Sequence, residues 1–157
     1  MKFTIPTPLQ QEHDALHDAL RRATQAGGDV GDAARHLAEV MHPHFVKEDE
    51  IALPPLGLLG ALSRGEFNAE MTDVLALTDR LEAELPAMLA EHKVIVAALQ
   101  RLQAAAERAG RSDIVGFTKE LVLHARTEED VMYPAAVLVG RHVRLLSARG
   151  AGQRVSA

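Results

Sequence analysis

The sequence predicts an all-α fold, an antiparallel up-down four-helix bundle with an internal pseudo-two-fold repeat. Three observations carry this expectation. Apolar residues recur at steps of three and four along four long stretches, and no segment alternates in the manner of a strand. The turns between those stretches are short and marked by glycine or proline. The second half also repeats the first: EHDALHDAL (12–20) matches EHKVIVAAL (91–99), and HFVKEDEIALP (44–54) matches HARTEEDVMYP (124–134), at offsets of 79 and 80 residues. One helix pair used twice implies equivalent residues facing each other across an axis.

Each element follows from local signals. After a short arm with Pro6 and Pro8, the first helix is expected from about Leu9 to Gln25, stopping at Gly27-Gly28. The second begins near Val30 to Asp32, passes Pro43 and ends at Pro54-Pro55, followed by the glycine-punctuated connector LGLLGALSRG. The third runs from roughly Glu66 to Ala109, with Pro86 expected to bend or interrupt it. Gly110 closes it, and Ser112 or Asp113 is the expected cap of the fourth, which continues to about Leu138 with a disturbance at Pro134. The whole chain, 1–157, reads as a single domain: a bundle over about 9–139 and a basic, partly disordered tail over 140–157. That tail carries Arg141, Arg144, Arg149 and Arg154 and no acid.

Composition narrows the chemistry. With 157 residues the chain is long enough to bury a core, and with 47% apolar but only 3% aromatic residues that core is aliphatic. Seventeen basic against 22 acidic residues give a formal charge of −5, which argues against nucleic acid or an anionic membrane as the main partner. Cysteine is absent, which excludes disulfides, thiolate metal sites, iron–sulfur clusters and cysteine nucleophiles. The opening residues, MKFTIPTPLQQEHD, contain no apolar signal core, and the expected location is cytoplasmic.

The register of the four helices singles out six polar residues. The stripes read Leu9, His13, Leu16, Leu20, Ala23; then Leu37, Met41, His44, Glu48, Ile51; then Leu81, Leu85, Met88, His92, Ile95, Leu99, Leu102; and Ile114, Phe117, Leu121, His124, Glu128, Val131, Ala135. A lone histidine on such a stripe is more often a hydrogen-bonded core residue than a ligand, and His-x-x-x-Glu is common by chance. The doubled set, with all six in register, is not explained that way. An isolated carboxylate in an apolar core costs several kcal/mol or becomes neutral. Two such acids beside four imidazoles are better explained by a shared cation, and imidazole with carboxylate and no thiol suits iron, manganese or zinc. Residues four apart stack on one helix face, so each His-x-x-x-Glu step can serve one metal centre.

On these residues the chain resembles the hemerythrin-like (HHE cation-binding) family over about residues 9–138. The resemblance implies a non-heme di-iron centre: two iron ions, oxo- or hydroxo-bridged, held by His13, His44, Glu48, His92, His124 and Glu128, with Glu48 and Glu128 bridging. Manganese and zinc are disfavoured. Oxygen-carrying members have His-x-x-x-His on the third helix and His-x-x-x-x-Asp on the fourth. Here the position four after His92 is Val96, and the fourth helix has His124-x-x-x-Glu128. The pattern is that of a variant with a four-His, two-Glu core. His17, four residues after His13 and aligned with Val96 by the repeat, is the one additional candidate ligand, although its flank position argues for a half-exposed residue.

The remaining polar residues draw weaker expectations. His36 and His42 fall off the stripe, and His142 lies in the basic tail. Asp49, Glu50, Glu129 and Asp130 are expected to face solvent, and Tyr133, the single tyrosine, to pack. The function implied is binding of oxygen or a related small oxidant, peroxide or nitric oxide, for sensing, storage or detoxification, with the protein partner unspecified. A binding protein is favoured over an enzyme, with peroxidase- or catalase-like activity left open. The competing readings are an iron-storage or iron-delivery module and a ferritin-like di-iron oxidase or peroxidase. The latter class uses Glu-x-x-His steps, of which only Glu39-x-x-His42 stands out. A bundle with structural zinc, or one serving purely as an interaction domain, is a third class.

Overall fold

Helix α1 (Thr7–Thr24) carries Pro8 in its first turn, where a missing N–H costs nothing, and Arg21 and Arg22 in its last turn, where positive charge favours the exposed carbonyls. The structure is a computed structural model that describes the backbone of residues 3–155 and the side chains of residues 3–149. Helix α2 (Gly28–Lys47) follows after a tight reversal in which Gly28 has φ +60°, a conformation that favours glycine. A short α3 (Leu59–Ser63) interrupts the connector, and α4 (Val74–Arg108) is the longest helix. Gly110, at φ +67°, makes the equivalent reversal into α5 (Ser112–Thr127), and α6 (Tyr133–Val155) ends the described chain. The architecture is all-α, a four-helix bundle with no strand among the described residues. No helix of the described residues is long and apolar enough to cross a membrane.

The core shows how the helices run. One cluster joins the second half of α1 (Leu20, Ala23) to the start of α2 (Val30, Ala34), the end of α4 (Leu102, Ala105) and the start of α5 (Ile114, Phe117). A second cluster, around Ile51, Leu53, Leu81, Met88, Met132 and Ala136, lies toward the other end. This end-to-start pairing is that of antiparallel neighbours joined by short turns. A third, smaller cluster of Leu58, Met71, Val74, Val139 and Val143 packs the connector against α4 and α6.

In both halves the α-helical ladder changes at the glutamate. Glu48–Ala52 and Glu128–Met132 form π-turns, in which the N–H groups of Leu53 and Tyr133 bond back five residues to the carbonyls of Glu48 and Glu128. A proline follows each turn, Pro54 or Pro134, and has no N–H to continue the ladder. Such turns occur often at functional sites. The extra residue shifts the register beyond the glutamate. Val131, expected on the buried stripe, is 58% exposed, while Met132, Tyr133 and Ala136 are buried in its place.

Other expectations are also corrected. Helix α4 begins at Val74, because Asn68 caps a 3-10 turn over Ala69–Asp73 by accepting a bond from the Met71 amide. Pro86 does not interrupt α4: it faces solvent, and the buried side chains of Leu81 and Met88 anchor the helix on either side. Neither Ser112 nor Asp113 caps α5; the Asp113 carboxylate instead accepts a two-fold bond from Arg111. Where a tail was expected from Gly140, the helix continues to Val155, held by buried Val139 and Val143 and by pairs of Arg141 with Glu82 and Arg144 with Asp79. The side chain of Arg154 lies outside the described residues.

At Gly140, α6 packs directly on Thr78 of α4. A Cβ there would lie 2.2 Å from Thr78 Oγ1 and 2.6 Å from Thr78 Cβ. Replacing a helical glycine by alanine gains up to about 1 kcal/mol in propensity, but overpacking costs about 1–3 kcal/mol. Gly140→Ala is therefore expected to lower the urea midpoint, and Thr78→Ala in the same chain to recover part of the loss.

Candidate metal centre

Between the two larger apolar clusters lie the six polar residues singled out by register. His13 comes from α1, His44 from α2, Glu48 from the first π-turn, His92 from α4, His124 from α5 and Glu128 from the second π-turn. All are at most 3% exposed, and they are the only buried imidazoles and carboxylates among the described residues. They form two groups, His44–Glu48–His92–Glu128 and His13–His124–Glu128.

Within each group two imidazoles meet through Nε2. His44 and His92 approach to 2.7 Å, His13 and His124 to 3.1 Å. The two carboxylates span both groups. Glu48 places Oε1 3.3 Å from His44 Nε2 and Oε2 4.0 Å from His13 Nε2. Glu128 places Oε1 2.7 Å from His124 Nε2 and 3.4 Å from His13 Nε2, with Oε2 3.4 Å from His92 Nε2.

The outer nitrogens explain why the inner ones converge. Nδ1 of His44 lies 2.8 Å from Glu91, Nδ1 of His92 2.7 Å from Glu129, and Nδ1 of His124 3.1 Å from Glu12. Nδ1 of His13 faces Asp49 at 3.5 Å. A carboxylate at Nδ1 holds the proton there and leaves the Nε2 lone pair directed inward. Two lone pairs aimed at each other at hydrogen-bond distance need a cation between them. Glu48 Oε2 is a further buried oxygen without a hydrogen-bond partner. These residues fit a pair of metal ions.

Sequence reasoning had left the outer acids and Tyr133 aside. The outer acids carry a signal in the repeat itself: Glu precedes the helix histidine twice (Glu12-His13, Glu91-His92), and an acid follows each buried glutamate (Asp49, Glu129). An adjacent residue points about 100° around the helix, toward the neighbouring helix rather than its own stripe. Tyr133 is 1% exposed, and its hydroxyl donates to Glu48 and lies 3.4 and 3.3 Å from Nε2 of His44 and His92. No α-helical register could place it there. The i→i−5 bond of the π-turn brings residue 133 back over residue 128.

His17 stands apart. It is exposed, with its ring tilted 44° against that of Phe45 at 4.2 Å, and the Phe45 ring lies in turn 5.1 Å from that of His13. Phe45 occupies the position between His17 and the centre, which leaves His17 outside both groups. It lines a surface cavity of about 290 Å³ with His42 and Phe45. Val96, its counterpart, lines a different cavity beside His92. His36 and His142 are exposed.

A family model, the hemerythrin HHE cation-binding domain, matches residues 4–136. The chain belongs to this hemerythrin family. Comparison with curated proteins and with solved structures gave no match. The hemerythrin domain covers every one of the six inward residues and all four outer acids, and it ends within α6.

The charges of this hemerythrin centre are unequal. Burial pushes the Glu128 carboxyl up, but bonds from His124, His13 and His92 more than offset this and hold it well below the usual range. Glu48 is raised, by burial and by Glu128 beside it. The protein by itself thus favours one buried negative charge over two, and a pair of cations would relieve the second. Burial lowers His124, yet Glu128 and Glu12 outweigh it and bring the imidazole up to about 9. In chelator-treated protein the His124 contribution to stability is expected to be complete below 6.5 and to fade as pH rises through about 9. The Glu128 contribution runs the opposite way, present above 4.5 and lost on acidification. Thermal midpoints across this range should pass through a maximum, and His124→Gln should make the alkaline decline shallower.

Proposed function

We propose that this hemerythrin domain holds two iron ions between its four histidines and two glutamates and binds oxygen or a related small oxidant, peroxide or nitric oxide. The observation that carries this reading is the pairing of inward Nε2 atoms under two carboxylates that each reach both groups. Glu48 and Glu128 would be the residues shared between the two ions, with the imidazoles completing each position. Bound iron would supply the reversible redox chemistry that the chain's own side chains lack.

The protein's part is to hold, orient and dry. Glu12, Glu91 and Glu129 fix the imidazole tautomers, and Lys47 in turn pairs with Glu91. Leu16, Ile95, Leu99, Phe117 and Leu121 belong to the buried apolar cluster on one side of the centre, which keeps water and bulky substrates from that side. Tyr133 keeps its proton, because burial and the neighbouring Glu48 and Glu128 raise it, and it holds that proton on Glu48. Histidine-rich ligation places less negative charge on the metal than a carboxylate-rich set, which suits binding and modest redox cycling for sensing, storage or detoxification. The ferritin-like reading loses its one motif, because Glu39 and His42 are both exposed. The place of action we favour is the cytoplasm.

Anaerobic iron loading is expected to give two irons per chain and, on exposure to oxygen, visible charge-transfer absorption. One zinc and no iron after metal-replete expression would refute it. Glu48→Ala and Glu128→Ala should each lose iron and lower the thermal midpoint, since unpaired imidazoles and a void remain; unchanged iron in both would show the bridging assignment to be wrong. His17→Ala should leave iron content and spectrum as they were.

A further inference from the structure

The repeat makes the two halves equivalent in sequence position, so any difference between the two donor groups is informative. Asp49 occupies the place that Glu129 occupies in the other half, one residue after the inward glutamate, and Leu53 the place of Tyr133. Both differences fall on the same side. Around His44 and His92 both imidazoles and Glu48 are anchored: Glu91 holds His44 at 2.8 Å, Glu129 holds His92 at 2.7 Å, and the Tyr133 hydroxyl holds Glu48. Around His13 and His124, Glu12 holds His124 at 3.1 Å, but Asp49 stops 3.5 Å short of His13 Nδ1. That nitrogen is buried and has no hydrogen-bond partner.

Asp is one methylene shorter than Glu. The carboxylate in the Glu129 position reaches its histidine, and the one in the Asp49 position does not. An unanchored imidazole is less basic toward a metal and keeps rotational freedom that binding must remove, effects that cost about 10–100-fold in affinity for other metal sites. Glu48 also sits closer to the first group, 3.3 Å from His44 Nε2 against 4.0 Å from His13 Nε2.

We infer that the two metal positions are inequivalent, that the His44–His92 position fills first, and that Asp49 makes His13 the loose ligand of a weaker, exchangeable second position. This inference rests on the two-metal reading. Asp49 is a positioning residue, since it would act through His13 alone.

The test is cobalt(II) titration of the chelator-treated full chain, followed by calorimetry and by the visible cobalt bands, with Asp49→Glu and Glu129→Asp compared under the same conditions. The wild-type chain should bind two cobalt ions in two steps, the second weaker by about 10-fold or more. Asp49→Glu should tighten the second step toward the first and leave the first unchanged. Glu129→Asp should weaken the first step and bring the two together from the other direction. Asp49 and Glu129 are both exposed at the rim, so folding is expected to survive either change, which circular dichroism checks. Two equal steps in the wild-type chain, or an Asp49→Glu variant whose second step does not move, would overturn the inference while leaving two metals in place. Binding of one cobalt or none would overturn the two-metal reading itself.

Discussion

The arrangement of this bundle turns on four imidazole lone pairs aimed inward, toward two carboxylates, in a core that is otherwise aliphatic. Burying ionised carboxylates costs several kcal/mol each unless charge and hydrogen bonds compensate. The outer acids intensify the problem, because each proton held at Nδ1 removes one from Nε2. What stabilises the rings in one orientation thus concentrates electron pairs at the centre. A site built in this way is poor as a hydrophobic core and good as a cation cage. The same acids sit at the rim, where water lowers their own desolvation cost.

The bundle and its centre were legible in the sequence to different depths. Four amphipathic stretches with short turns defined the helices; His44, Glu48, His124 and Glu128 precede or begin the π-turns, and His13 and His92 lie in helices without one, so the α-helical register is intact at all six. His13, His44, His92 and His124 could therefore be placed by counting. Beyond Glu128 the count failed by one residue, and Val131 changed places with Met132 and Tyr133. The pentapeptides EDEIA and EEDVM carry no propensity signal for a π-turn that a reader could separate from an ordinary helix. Only the proline after each turn hinted at a disturbance, and a proline hints equally at a kink.

The outer acids were hidden for a different reason. Helical register sorts residues into inward and outward faces, and Glu12, Asp49, Glu91 and Glu129 belong to neither. Each leans along an interface toward a histidine of another helix, so its role depends on which helices are neighbours. His17 illustrates the converse. Its spacing from His13 is right for a second ligand on one face, but the bulk of Phe45 fills the space between it and the centre. The repeat places Ala125 where Phe45 stands, so the exclusion belongs to one half only.

These half-specific residues bear on how such a centre can work. Duplication of a helix pair supplies the six inward groups in a symmetric set, and a strictly symmetric set would give two cations the same affinity and no preferred side for a ligand or an electron. The chain departs from symmetry in residues that touch the donors without being donors: Tyr133 against Leu53, Glu129 against Asp49, Phe45 against Ala125, Lys47 against Thr127. Three of these pairs change a hydrogen bond or a charge, and the fourth changes volume. None removes any of the six inward histidines and glutamates. Substitutions of that kind can vary within a common cage, because they adjust the orientation and basicity of a ligand by fractions of an ångström instead of removing it. The ligand set thus accounts for cation binding by the hemerythrin fold, and the asymmetric surround is where a difference between the two positions, and with it any direction to the chemistry, has to come from.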